Sequence, residues 1–98
     1  MTVIDVRCDG GRDDGWLCTV TLREADRDVS SHQVRVPAAI LDRLAPGSGD
    51  PARLVEASFA FLLERESPQS ILPSFELSEI GHYFPEYETE IRRRFAAT

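Results

Sequence analysis

The chain contains no lysine, since all 11 of its basic residues are arginine. Schiff-base catalysis and lysine-activated nucleophiles are thereby excluded, and the bias itself most simply reflects the base composition of the coding genome. Cysteine and histidine are scarce. Cys8, Cys18, His32 and His82 show none of the close ligand spacings of a zinc site, so no metal is expected. No glycine-flanked serine elbow is present. Ser30-Ser31-His32 is an adjacency only, because strand alternation turns Ser31 and His32 to opposite faces. The acidic cluster Asp9, Asp13, Asp14 fails the calcium-loop pattern, in which the twelfth position must be glutamate; counted from Asp9 that position is Val20. It reads as a solvated hairpin turn. No catalytic residue and no cofactor is expected.

Long apolar runs are also missing. No segment approaches the ~20 apolar residues that span a bilayer, and Asp5 and Arg7 interrupt the start before a signal-peptide core can form. The expected setting is cytoplasmic, with no membrane contact. Cys8 and Cys18 are then expected to stay reduced as small buried hydrophobes; whether they lie close in space is left open. Net charge is −6, with six arginines against nine acids in residues 1–50 and five against eight in residues 51–98. Neither half is a basic face. Arg92-Arg93-Arg94 follows Glu86, Glu88 and Glu90, which leaves little net field for phosphate, so nucleic acid is not an expected partner.

What is present suits one α+β domain over residues 1–98, long enough to bury roughly 65% of its unfolded surface. Residues 1–36 read as a three-stranded antiparallel β-meander. Ile4, Val6 and Cys8 share a face in the first strand; Trp16, Cys18, Val20 and Leu22 in the second; His32, Val34 and Val36 in the third. His32 is expected to lie on a strand with its ring hydrogen-bonded. Residues 37–98 read as the helical part. Pro37 opens a short helix carrying Ile40, Leu41 and Leu44, which stops at Ala45-Pro46-Gly47-Ser48-Gly49.

The main helix is expected from Pro51 to about Glu66, with Asp50 as its N-cap and Ser67-Pro68 as its stop. Leu54, Val55, Phe59, Phe61, Leu62 and Leu63 cover most of its circumference, so it should be covered on more than one side. Arg53, Glu56 and Glu64 mark its thin polar stripe. Ala57 and Ala60 beside them are small enough to admit another backbone. A loop, a short helix near Ser78 to Tyr83 with His82 exposed, and a final helix from Pro85 to Phe95 should supply the second cover. Tyr87, Ile91 and Phe95 form the apolar stripe of that last helix. Its acidic start and basic end both suit the helix dipole.

The string Ser58-Phe59, Phe61 to Glu66, Ser70-Ile71-Leu72, Phe75, Leu77, Ile80 and Tyr83 to Tyr87 resembles the C-terminal signature of a family of short bacterial proteins of uncharacterised function. The match runs from Leu54 to Tyr87 and departs from the family form at Ser67, which precedes Pro68 and bears on the turn geometry. The resemblance implies a small cytoplasmic α+β domain and carries no mechanism.

Two constellations remain as candidate interaction or pocket residues. Glu64-Arg65-Glu66 ends the greasiest helix and can organise an ion network with Arg53 or the final arginines, orienting the chain that follows. Tyr83, Phe84, Glu86 and Tyr87, around Pro85, carry the aromatics that commonly anchor a partner. Because no catalytic constellation survives the spacing tests, the expected function is a non-enzymatic interaction or regulatory module that self-associates or binds a protein partner. One alternative is a small-molecule-binding protein or enzyme with a pocket between sheet and C-terminal segment, lined by Trp16, Tyr83 and Glu64. The other is a nucleic-acid-binding, antitoxin-like module.

Overall fold

A computed structural model describes residues 2–12, 15–47 and 49–96, with Gly11 and Arg12 as backbone alone. The expected turn residues Asp13 and Asp14, and Ser48 of the interhelix loop, lie outside the described residues. Strands β1 (Thr2–Arg12), β2 (Gly15–Glu24) and β3 (Arg27–Val36) form the antiparallel meander. The inner faces are those set by alternation: Cys18 pairs Val34, Val20 pairs His32, and Cys8 pairs Cys18.

Local chemistry fixes the β2–β3 turn and the start of β2. Ala25 and Asp26 close β2 to β3 with positive φ at both central positions (53° and 66°), the backbone of a type I′ turn. Gly15 opens β2 at φ +113°, and a Cβ there would stand 2.2 Å from the Val36 carbonyl oxygen. Only glycine lets the β2 start pass so close to the end of β3.

The sheet has a fourth strand, which corrects the three-stranded reading. β4 (Ser74–Glu76) pairs parallel to β3, Val34 against Phe75, and the Gln33 N–H reaches the Pro73 carbonyl at 2.8 Å. A parallel neighbour requires a crossover, and helices α1 (Ala38–Leu44) and α2 (Pro51–Leu63) supply it. The segment from Pro68 to Leu77, expected as loop, carries regular structure, and the short helix expected near Ser78 to Tyr83 is present. The chain there runs as a 3₁₀ turn (Pro68–Ser70), β4, and a second 3₁₀ turn (Leu77–Glu79) that leads into α3 (Ile80–Tyr83). His82 is exposed on α3 as expected. Helix α4 (Tyr87–Ala96) closes the chain.

Asp50 caps α2 through its side chain, accepting the N–H groups of Ala52 and Arg53 at 3.1 and 3.3 Å. The helix ends at Leu63, short of the expected Glu66, where the N–H groups of Arg65 and Glu66 both close on the Leu62 carbonyl. Leu54, Val55, Phe59, Phe61 and Leu62 are buried between the sheet and the C-terminal elements. Tyr87 and Ile91 of α4 complete that core. The other face of the sheet, with Leu17, Gln33 and Arg35 exposed, is covered by no second layer among the described residues. No helix among the described residues is long and apolar enough to cross a membrane.

Cys8 and Cys18 form a disulfide, which overturns the expectation of two reduced thiols. Alternation turned both inward and the hairpin register placed them opposite each other. Cys18 is fully buried, and the bond ties β1 to the centre of the sheet.

Candidate functional site

The site begins where α2 ends. Leu62 on the last turn of α2, Ile71 after the first 3₁₀ turn, Phe75 on β4 and Ile80 on α3 converge on an apolar cavity of about 130 Å³. Tyr83 and Phe84 form one wall; Glu66 and Glu79 stand at the rim. Leu72, 44% exposed, and Tyr83, 67% exposed, are the large apolar side chains at its mouth.

Each wall is held by a specific bond. The Glu79 carboxylate accepts the Glu76 N–H at 2.8 Å, while the Glu76 carboxylate accepts the Glu79 N–H and the Ser78 hydroxyl, the latter at 2.6 Å. This reciprocal cap fixes the second 3₁₀ turn and leaves one Glu79 oxygen, Oε1, without a partner among the described residues. The Glu66 carboxylate has none at all among them.

Behind the cavity lies His32, buried and tilted against Phe59 at 5.3 Å between ring centroids. Its Nδ1 is 2.7 Å from the Leu72 carbonyl and its Nε2 is 2.9 Å from the Ser30 hydroxyl. A carbonyl only accepts, so Nδ1 donates to Leu72, and Nε2 shares a hydrogen bond with the Ser30 hydroxyl. The ring thus staples the Leu72 loop to β3, as the expected hydrogen-bonded strand histidine does. Cys8 and Cys18 are bonded to each other and His82 is on α3, so the four zinc-type ligands do not converge.

The sequence candidates fall into four places. Tyr83 and Phe84 line the cavity. Glu64, Arg65 and Glu86 belong to an ion network beside it. Arg65 lies 3.7 Å over the Phe61 ring, donates to the Phe61 carbonyl at 3.1 Å, and pairs Glu64 at 3.2 Å and Glu86 at 3.5 Å. Arg94 reaches back to Glu64 at 3.0 Å and to Glu90 at 3.2 Å; Arg93 also pairs Glu90. These bonds hold Glu90 below the usual carboxylate range, Arg94 most strongly, against an opposing effect of burial. The network docks α4 on the end of α2. Arg53 instead stands over the Phe95 ring at 5.6 Å.

Two candidates are corrected. Tyr87 is fully buried, edge-on to Phe61, with its hydroxyl 2.7 Å from the Ser58 hydroxyl, which itself donates to the Leu54 carbonyl. It cannot meet a partner, because the stripe Tyr87, Ile91, Phe95 turns it inward. Burial pushes its ionisation upward, the Ser58 bond opposes this, and the nearby Glu88 charge adds to it. Trp16 sits in a different depression, with Leu17, Arg35, Pro37 and Glu76. The pocket expected from Trp16, Tyr83 and Glu64 together does not form, since Trp16 and Tyr83 line separate cavities and Glu64 lines neither.

Glu79 at the rim, and Ile71, Leu72 and Phe75 as cavity residues, were missed, whereas Glu66 belongs to the Glu64-Arg65-Glu66 constellation marked in the sequence. The signal was present in the apolar run through a proline-bounded segment. Its assembly depends on β4, which no local pattern marks. Compared with known protein families, curated proteins and solved structures, the chain matches none of them.

Proposed function

We propose that the protein is a non-enzymatic interaction module whose cavity at the end of α2 takes one apolar side chain of a partner protein, set beside an arginine or lysine of the same segment. The carrying observation is the pairing of an apolar floor with a rim whose charged groups are both carboxylates. Size supports a side chain over a metabolite. At about 130 Å³ the cavity is below the roughly 300–1,000 Å³ usual for small-molecule sites, and near the ~150 Å³ that holds a benzene ring. The exposed Leu72 and Tyr83 extend the contact beyond the cavity as apolar neighbours. A net charge of −6 adds long-range attraction for a basic segment.

A peptide array pairing Leu, Ile or Phe with a neighbouring Arg or Lys tests this, followed by calorimetry on the best binders. Expected binding is saturable, weakens with salt, and falls roughly tenfold in Glu66→Gln, where a partly desolvated charge pair is lost. Equal binding of peptides with Asp in place of Arg would refute it. A set of metabolites that raises the melting temperature while no peptide binds would favour the small-molecule reading instead.

A further inference from the structure

A second surface lies at the far edge of the sheet. β1 is an edge strand of 11 residues, and no backbone among the described residues bonds to its outer side. Such an edge is a ready template for another strand unless proline, charge, a bulge or a covering segment blunts it, and the charges on β1, Asp5, Arg7 and Asp9, discourage every register but one that pairs opposite signs. β1 has no proline, and its only irregularity falls at its end, between Gly10 and Arg12. Its inward side chains Ile4, Val6 and Cys8 are only half-buried. Ile4 borders a groove whose helical side carries Ala57 and Ala60 of α2 together with the charged Arg53, Glu56 and Arg94.

The free groups of the edge can be assigned. The Cα atoms of Cys8 and Cys18 are 4.0 Å apart, the short spacing of an antiparallel pair that exchanges no backbone hydrogen bonds. Alternation along the unbroken register from Thr2 to Gly10 then uses the backbone groups of Val3, Asp5, Arg7 and Asp9 in the ladder with β2. Those of Ile4, Val6 and Cys8 point outward.

We propose that β1 pairs antiparallel with β1 of a second copy, about a two-fold axis at Val6, joining two four-stranded sheets into one. Charge selects this register. Centred on Val6, each Asp5 faces the other copy's Arg7 twice over, at the closer, non-hydrogen-bonded positions. Val6 exchanges both backbone bonds with its own copy, and Ile4 bonds with Cys8. The inward stripes become continuous. Centring on Asp5 sets Asp5 against Asp5, and centring on Arg7 sets Arg7 against Arg7 and Asp5 against Asp9. Centring on Cys8 runs the pairing into the irregularity beyond Gly10. Within its own chain Asp5 has an exposed ion pair with Arg23 at 3.5 Å, weak enough for Arg7 of the second copy to share.

This surface gives the self-associating part of the proposed function its own location, and it leaves the cavity untouched. Light scattering across a concentration series to about 100 µM is expected to give a two-copy mass for the oxidised protein. Asp5→Arg alone sets Arg against Arg, and Arg7→Asp alone sets Asp against Asp. Each is expected to raise the dissociation constant roughly 10- to 100-fold, with melting temperature tracked to confirm folding. Mixing the two variants restores both opposite-charge pairs, so a heterodimer should form from two weak self-associators. Peptide binding at the cavity should be the same in all of them, which separates this failure from failure of the cavity reading. A strictly single-copy mass for the parent protein, a dimer indifferent to both substitutions, or a mixture no stronger than its components would each overturn the assignment.

Discussion

The two edges of the sheet are built on opposite principles. β1 is long, antiparallel and continuous in sequence with its neighbour, and a disulfide ties it to the buried centre of the sheet. β4 is three residues long, parallel, and reaches β3 only after two helices have crossed the inner face. Brevity protects β4 from unwanted pairing, and side-chain burial anchors it. Phe75 packs into the core 6.0 Å from Phe59, and His32 fastens the preceding loop. β1 keeps an open row of backbone groups and is secured covalently. One edge is thus consumed in building a cavity, while the other is preserved as a surface.

The sharpest way to break the comparison is Phe75→Ala. It removes a buried ring and the cavity floor together, and is expected to cost about 3–5 kcal/mol, visible as a large fall in denaturation midpoint. Cavity binding should vanish, while the β1–β2 hairpin register survives in any folded remainder. The second test acts on the opposite edge. Replacing both cysteines, Cys8→Ala with Cys18→Ala, opens a loop of sequence separation 10 and is expected to cost about 2–4 kcal/mol by releasing the denatured chain. Thermal unfolding with and without reductant should reproduce the same difference in the parent protein, and none in the variant. A chain indifferent to reductant would mean that β1 needs no covalent tie.

The smallest expected effect falls on the helical layer behind both edges. Tyr87→Phe removes one buried hydroxyl and leaves Ser58 bonded to the Leu54 carbonyl, at a cost of about 1 kcal/mol. The same residue sets an alkaline limit. Its folded ionisation lies above the unfolded value near 10, so between those two values the native state binds the extra proton and stability falls as pH rises. Tyrosinate absorbance from Tyr87 should therefore appear together with unfolding, and Tyr87→Phe should lose that alkaline sensitivity.

Legibility followed sequence distance. The faces of β1, β2 and β3 were visible because alternation is local, and α2 because Asp50-Pro51 and the apolar density of Leu54 to Leu63 are local as well. β4 was invisible, since three residues after Pro73 are too few to alternate and their partner strand lies some forty positions earlier. The disulfide was missed for a different reason. Both thiols were seen to point inward, but their union depends on the register of the hairpin and on an oxidising chemistry that composition alone argued against. Tyr83 and Phe84 reached the cavity as candidates, whereas Tyr87 did not, and its place in the Ile91 stripe had already marked it as core. Glu66 and Glu79 gain their meaning only when α2 and α3 are brought to one rim.

Gly15 carries a lesson for reading substitution maps of this chain. With a carbonyl oxygen where its side chain would begin, it will reject every replacement, including those as mild as alanine, and so mimic the intolerance of a residue that handles a ligand. Leu17 and Arg35, its exposed neighbours in the groove near Trp16, will tolerate exchange far better. Intolerance concentrated there would record the crowding of two strand ends, and a search for activity would do better at the opposite corner of the molecule, where Glu66 can change with little harm to the fold.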